Sequence, residues 1–481
     1  MENSIEQGKV AVIDIGSNSL RFVVFDSYGR YPYPLFNERI TCRLGEGVQK
    51  TKKLKKDRIQ QSLETIKRFS KIIDEAKLET VLVIGTAALR LAKNAEDFIE
   101  PAEKFLGNKI RILSGTEEAN LVARGLTANI PKANGIIADL GGGSLELIKI
   151  ENGKIIDSTS LNFGHLIDIE EKSFQKIIKK LKWKNDSENE FFYGVGGSFR
   201  ALGLVFKQKN KYPLDILHGL NIPSKKANRI LNKIVKFDGE IKGLPQSRKP
   251  TMGNAAKIMR SVIKATNSKK IIISGTSVRE GLVLENLSIK KLKHDPLIST
   301  CDEIAKQSER FVGLSESLEN LLLPIISIGD EKELSRLLKA SCLLADIAWN
   351  EHTSSRNIIA SEKILLLPTN SLTHRERAWL AKTLFHRYNR TIELVKFPFK
   401  FKAILSIEDN YTSLIVGLSL RFAMAASAGL PDLLNDLKLE LSDDYLKVVF
   451  QGNTKTLLVD HVYEKLNILA SYLERELIIE L

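Results

Sequence analysis

The densest chemistry in this chain is written in Asp139-Leu-Gly-Gly-Gly-Ser-Leu-Glu146. Its consecutive glycines, Gly141, Gly142 and Gly143, allow a turn that brings amide N–H groups close to a ligand with no Cβ in the way. A concave row of such amides is an anion site. Asp139 and Glu146 bracket it, so an incoming polyanion meets carboxylates as well as amides. That combination calls for a divalent cation between them. Taken alone, the stretch reads equally well as a glycine-rich hairpin with two surface acids.

A second copy weighs against the plainer reading. Asp14-Ile-Gly16-Ser17-Asn18-Ser19-Leu20 lies over Asp139–Leu145 without a gap, matching at Asp, Gly, Ser and Leu, at a constant offset of 125 residues. Each copy joins two apolar, strand-like runs: Lys9–Asp14 to Leu20–Asp26, and Ile136–Ala138 to Leu145–Ile150. Two such hairpins imply two similar domains facing each other, with a phosphate chain gripped from both sides.

The elements around the hairpins alternate between strand and helix. After a strand at Phe36–Leu44, Lys55–Ala76 carries apolar residues at helical spacing. Val81–Ile84 is a buried strand followed by Gly85-Thr86 and a helix through Arg90. Ile110–Leu113 leads into a helix over Glu117–Asn129. The theme returns with a helix at 167–184, a strand at Phe191–Val195, helices from Gly196-Gly197-Ser198, over Ser224–Val235 and over Gly253–Ala265, and a last strand at Lys270–Ser274. Four strand ends meet a glycine before a helix, at Gly85, Gly115, Gly196 and Gly275. Ligands collect at such strand ends, where helix N-termini favour phosphate. The expected domains are 1–130, 131–290 and, after a charged linker at Lys290–Pro296, a mainly helical 297–481. The last of these carries a small hairpin near Ser442 and a closing helix at His461–Leu481.

Composition bounds the rest. A chain of 481 residues with 43% hydrophobic and 27% charged residues is an ordinary globular protein of two to four domains. Three scattered cysteines, Cys42, Cys301 and Cys342, make no disulfide framework, which points to the cytoplasm. The N-terminus lacks the order of a signal peptide. Leu414–Leu430 carries Arg421 and is short for a membrane span. The net charge of +14 favours polyanions, but its basic runs read singly as solvated helix faces, and no motif marks specific nucleic-acid binding. The seven histidines form no pair of zinc spacing.

With both hairpins, Gly85-Thr-Ala-Ala-Leu-Arg90, Ser114-Gly-Thr-Glu-Glu-Ala119, Gly194-Val-Gly-Gly-Ser198 and Ser274-Gly-Thr-Ser-Val-Arg-Glu-Gly281 in view, the chain resembles the exopolyphosphatase/guanosine pentaphosphate phosphatase family over residues 9–286. The resemblance implies an α/β fold of two actin/sugar-kinase/Hsp70-like (RNase H-like) domains plus a predominantly α, HD-like C-terminal domain. It further implies release of terminal phosphate from inorganic polyphosphate, or of a phosphate from guanosine pentaphosphate, with Mg2+. A homodimer is the oligomer it suggests. In the HD position the chain reads Leu-Leu-Ala345-Asp346 without the histidine, so an HD metal site is not expected. Thr373–Arg377 and Arg387-Tyr388 fit the same helical domain, and read equally well as a charged helix surface.

On this reading Gly16, Ser17, Asn18, Ser19, Gly141, Gly142, Gly143, Ser144, Gly196, Gly197 and Ser198 hold phosphate, and Arg90 neutralises its charge as a planar fork. Ser114-x-x-Glu117 fits a capping box, which gives Glu117 a structural job. Glu118 is left over, and the resemblance makes it the carboxylate that activates water. Asp139 and Glu146 match the family's essential acids, holding Mg2+ or the water, and Asp14 contributes through the metal's water shell. A small-molecule kinase of the same fold and a non-catalytic sensor of polyphosphate or alarmone are the competing classes.

Overall fold

The repeat read in the sequence is a repeat of topology. Asp14 lies near the end of β1 (Val10–Ile15) and stands opposite Arg21 on β2 (Leu20–Phe25). Asp139 stands opposite Glu146 across β6 (Gly135–Leu140) and β7 (Leu145–Glu151). Beyond each hairpin the sheet continues antiparallel on one side, through β3 (Pro34–Ile40) or β8 (Lys154–Leu161). On the other side it continues parallel, through β4 (Thr80–Gly85) and β5 (Ile110–Ile112), or through β9 (Phe191–Val195) and β11 (Lys270–Ile273). An extra strand, β10 (Leu220–Pro223), adds an antiparallel edge beside β11. The sheet orders are therefore β3-β2-β1-β4-β5 and β10-β11-β9-β6-β7-β8.

The structure, a computed structural model, describes residues 8–167, 170–181, 183, 190–236, 241–389, 396–399, 401 and 404–481. It divides into a first unit, the residues up to Tyr212 with Leu217–Lys293, and a second, Pro213–Ile216 with His294–Leu481. In the first unit each sheet is backed by its own helices. Ile66, Phe69 and Ile73 of the helix Lys56–Glu75 pack with Phe98 and Ala102 of Glu96–Leu106 onto the first sheet. The helix Lys249–Thr266 supplies Met252, Ala255, Met259 and Val262 to the second. Side chains of this size contribute about 1.5–3 kcal/mol each when fully buried.

A third core lies between the sheets. Val10, Val12 and Val23 meet Ile137, Ile148 and Ile150 there, with Leu121 and Val122 from the helix Gly115–Asn129 and Leu282 and Val283 from Val278–Glu285. These two helices cross closely because Gly281 faces Leu121: a Cβ on Gly281 would stand 1.9 Å from the Leu121 carbonyl oxygen. The crossing fixes Glu118, on the first of them, relative to both hairpins.

The second unit is predominantly helical, as expected, with a small sheet of β12 (Leu437–Leu441), β13 (Tyr445–Phe450) and β14 (Glu476–Glu480). Its longest helix, Ile407–Ser427, covers the apolar stretch read as buried, and Arg421 is only 4% exposed within it. No helix among the described residues is long and apolar enough to cross a membrane. The chain does not close on a helix. The helix Asp460–Leu473 ends at Glu474, which takes left-handed angles, and the chain then enters β14, parallel to β13. The alternation of exposed and half-buried residues in β14 is a strand's period, which the helical reading of Leu477-Ile-Ile overlooked. The helix expected at 167–184 covers Glu171–Lys180, and residues 168, 169, 182 and 184 lie outside the described ones.

Candidate functional site

The Gly16 and Gly141 amides close their own hairpins, donating to Ser19 O at 3.2 Å and Ser144 O at 3.0 Å, and the other turn residues are held by their carbonyls. Gly141 and Gly142 accept from the backbone N–H groups of His165 and Leu166 at 3.1 and 3.2 Å, and Gly143 accepts from Gln49 Nε2 at 3.1 Å. On the other hairpin, Ser17 and Asn18 accept from the N–H groups of Gly45 and Arg43 at 2.8 and 3.0 Å. The amides of Ser17, Asn18, Gly142 and Gly143 donate to nothing among the described residues. Unpaired backbone amides gathered at a turn are what an anion site requires. Glycine is needed at 164, where a Cβ would meet the Gly142 oxygen at 2.0 Å and push the turn out of place.

The turns face a cavity of about 480 Å³ in the first unit. Of the residues expected in the site, Asp14, Gly16, Ser17, Asn18, Ser19, Glu118, Asp139, Gly141, Gly142, Gly143, Ser144, Gly196 and Gly197 line it. Arg90, Glu146 and Ser198 stand behind the wall. Ser198 is 0% exposed, in the first turn of the helix Gly197–Lys209. Glu146 is 1% exposed and accepts from Ser160 Oγ at 3.0 Å. Arg90 Nη1 donates to the Leu113 carbonyl at 2.5 Å and to Glu118 Oε2 at 3.2 Å, so its partner is the glutamate itself.

The two adjacent glutamates divide their work as the spacing suggested. Glu117 completes the capping box with Ser114 and pairs with Arg111 at 3.1 Å, which hold its carboxyl below the usual range. Glu118, one residue on, points inward and is buried. Burial raises its carboxyl well above the ordinary value, and Glu146 and Asp139 push the same way against Arg90. Burial and Asp139 raise Glu146 to about 7, while burial lifts Asp139 to about 6 with Arg200 opposing. The buried Glu118 and Glu146 and the half-buried Asp139 thus repel one another around the glycine turn.

That excess negative charge tests the fit of a divalent cation. Among the described residues no three His, Cys, Asp or Glu side chains converge as a metal cage. Mg2+ does not need one, since it binds through one or two carboxylates together with substrate phosphates and water. Asp139, on the cavity wall, suits that habit, with Glu146 opposite it across the hairpin and behind the wall. Asp14 Oδ2 is taken by Arg279 Nη1 at 2.7 Å, which leaves its other oxygen for a metal-bound water.

Several residues of the site were not singled out in the sequence. Arg21, Arg39, Arg200, Arg248, Arg279 and His165 all line the cavity. The repeat itself could have shown Arg21, which stands seven residues after Asp14 just as Glu146 follows Asp139. Arg200 and Arg279 lie in motifs already noted, two residues beyond Ser198 and within Ser274–Gly281. Arg39 on β3 and Arg248 before the helix Lys249–Thr266 carry no local signal. Burial and the guanidinium of Arg248 push His165 down to about 4, so its ring is neutral near pH 7.

In the second unit the HD position is built around an arginine. Asp346, 2% exposed, receives Arg310 Nε at 2.9 Å and Nη2 at 3.0 Å, with Arg387 Nη2 3.8 Å away. A guanidinium fork holds the carboxylate that an HD metal would need. Of Thr373–Arg377 only Thr373 and Arg375 are exposed, so the charged-surface reading holds for part of it alone. Thr373 and Glu376 form a capping box, and Arg377 is 0% exposed with its guanidinium on the carbonyls of Ile364 and Thr369 at 2.9 and 2.6 Å. The arginine finds backbone acceptors inside, which pattern alone does not reveal.

Two hairpin-centred lobes, with phosphate-seeking amides and buried acids on one cavity, define a phosphatase of actin-like fold. The chain belongs to the Ppx/GppA phosphatase family, whose profile matches residues 23–290, and the exopolyphosphatase C-terminal profile matches residues 297–479. It is 24% identical over 370 residues to the guanosine-5'-triphosphate,3'-diphosphate pyrophosphatase of Photobacterium profundum, covering 70% of this chain and 72% of that one. It is 28% identical over 311 residues to a bifunctional 3-dehydroquinate synthase/phosphatase of Fusobacterium nucleatum, covering 58% of this chain and 47% of that protein. Its fold is shared with an exopolyphosphatase from Cytophaga hutchinsonii (TM-score 0.52, 22% identical, 58% of this chain and 99% of that one).

Proposed function

We propose that this chain is an exopolyphosphatase that hydrolyses the terminal phosphate of inorganic polyphosphate by direct attack of water. The observation that carries the reading is Glu118: released from capping by Glu117, buried on the cavity wall, and facing turns whose amides are unpaired. The amides of Ser17, Asn18, Gly142 and Gly143 hold the oxygens of the transferred phosphoryl, where charge accumulates in the transition state. Glu118 takes the proton of the attacking water as the new P–O bond forms. The bridging P–O bond breaks, and the shortened chain leaves with the bridging oxygen. Burial raises this carboxyl above its ordinary value, which makes the carboxylate the stronger base toward the water's proton. Arg90 acts through Glu118 as a positioning residue, fixing the carboxylate by the 3.2 Å contact. Asp139 would hold Mg2+, with the Glu146 charge behind it favouring the cation, which when bound neutralises phosphate charge.

The second reading is hydrolysis of guanosine pentaphosphate. It is favoured by the name carried by the Photobacterium and Aliivibrio fischeri relatives, each 24% identical. The turns and acids address only phosphate, and the net charge of +14 favours the longer polyanion. Phosphate release measured side by side on polyphosphates of several lengths and on guanosine pentaphosphate decides between them. The proposal expects rapid release from long chains, slowing with salt. A protein that ignores polyphosphate and cleaves the nucleotide takes the second reading instead.

A further inference from the structure

Away from the glycine turns, a hollow of about 770 Å³ opens at the other end of the second sheet. The cavity lies where β9 and β11 finish, at Gly196 and Ser277, and the hollow lies where β11 begins, at Ser268 and Lys269. The helix Lys249–Thr266 runs between the two. Arg248, just before it, lines the cavity, and Arg260, about 18 Å further along, lines the hollow. Three helices each turn one face to the hollow. Lys225, Asn228 and Asn232 come from Ser224–Lys236, Arg260, Ile263 and Lys264 from Lys249–Thr266, and Glu171 and Gln175 from Glu171–Lys180.

Helix faces turned toward neighbouring helices are ordinarily apolar, and these are mostly polar. Glu171 accepts from Arg260 Nε at 3.2 Å, from Arg260 Nη2 and from Gln175 Nε2 at 3.3 Å, so its charge is cancelled within the wall. Lys225, Lys264 and Lys269 make no ion pair among the described residues, which leaves three positive charges over to attract an anion. Asn228 makes no hydrogen bond among the described residues, and its Oδ1 is buried without a donor. An unpaired buried acceptor destabilises a fold, so internal bonding does not account for an amide at this position. Carboxamides offer a donor and an acceptor together, which suits hydroxyl groups. No aromatic ring lines the hollow, and its apolar lining is Pro223 and Ile263, so it has no platform for a nucleobase.

We propose that this hollow is a second ligand site, separate from the cavity of the glycine turns, and that it takes a phosphorylated polyol. Lys225, Lys264 and Lys269 hold its phosphates, and the carboxamides of Asn228 and Asn232 meet its hydroxyl groups. The site goes beyond the phosphoanhydride reading and does not depend on it.

Binding of fructose 1,6-bisphosphate, fructose 6-phosphate, fructose and orthophosphate is to be measured by titration calorimetry on the full chain. The bisphosphate is expected to bind at least about 10-fold more tightly than fructose 6-phosphate or orthophosphate, and fructose not at all. Lys225→Gln with Lys264→Gln and Lys269→Gln is expected to weaken the bisphosphate about 100-fold, and Asn228→Leu about 10-fold. Asn228→Leu is also expected to raise the melting temperature of the unliganded protein, because it removes the unpaired acceptor. Absence of binding, or orthophosphate bound as tightly as the bisphosphate, overturns the site. Binding indifferent to all four substitutions overturns it as well and moves the ligand elsewhere on the chain. A lower melting temperature for Asn228→Leu would show that the amide serves the fold and would remove it from the site. None of these measurements involves phosphate release, so the site and the proposed activity fail or stand separately.

Discussion

Replacing Glu146 by glutamine is expected to stabilise the protein at pH 8 in the absence of divalent cations. Glu146 is 1% exposed and stands opposite Asp139 across β6 and β7. Burial, then Asp139, raises its carboxyl from 4.5 to about 7. The folded chain therefore holds this proton more tightly than the unfolded one. Stability falls as pH rises through the window from about 4.5 to about 7, and the full penalty stands above it. At ~1.4 kcal/mol per pH unit the gap amounts to about 3 kcal/mol, and to less than about 1 kcal/mol at pH 5. Glutamine never ionises, and its Oε1 can still accept from Ser160 Oγ. Urea unfolding without divalent cations should show the variant more stable by up to about 3 kcal/mol at pH 8, with the advantage shrinking at pH 5. Added Mg2+ should recover stability in the wild type more than in the variant. A variant less stable at pH 8, or a difference indifferent to pH, refutes the idea of mutually repelling acids.

Other outcomes follow from the same geometry. Glu118→Gln should cut turnover about 10²–10⁴-fold while polyphosphate still binds, because the amide cannot take the water's proton; binding lost in step with turnover would contradict its role. Arg90→Lys should lower kcat with little change in KM, since it acts through Glu118 and the shorter lysine side chain does not carry its ammonium to the place from which Arg90 Nη1 donates to both Leu113 O and Glu118. Gly164→Ala should raise KM for phosphate chains sharply, as its Cβ would collide with the Gly142 oxygen; unchanged kinetics would mean that the turn's placement is immaterial. Asp346→Ala should cost about 3–5 kcal/mol in the unfolding of the second unit by stranding Arg310 and Arg387, without altering the metal requirement of phosphate release.

Legibility followed the range of the interactions. The hairpins, the strand-end glycines and the division between Glu117 and Glu118 depend on contacts within a few residues, and each could be read from spacing. The closing strand β14 was missed because Leu477-Ile-Ile is short and its partner β13 lies some thirty residues back, a pairing that no local period reports. Charge normally means solvent, which suits Arg375 but not Arg377, whose guanidinium is satisfied by carbonyls brought in from Ile364 and Thr369.

By itself, then, the chain determined two glycine turns with an acid at each, their kinship, and a helix whose second glutamate has no structural duty. These are consequences of backbone freedom and capping, which act locally. Only the tertiary structure decided that Glu146 and Arg90 stand behind the cavity wall, that Asp14 is held by Arg279, and that Arg39 and Arg248 converge on the same cavity from β3 and from the start of a distant helix. Charges that distant in sequence meet only when the sheets pack, because electrostatics acts through space and leaves no period along the chain.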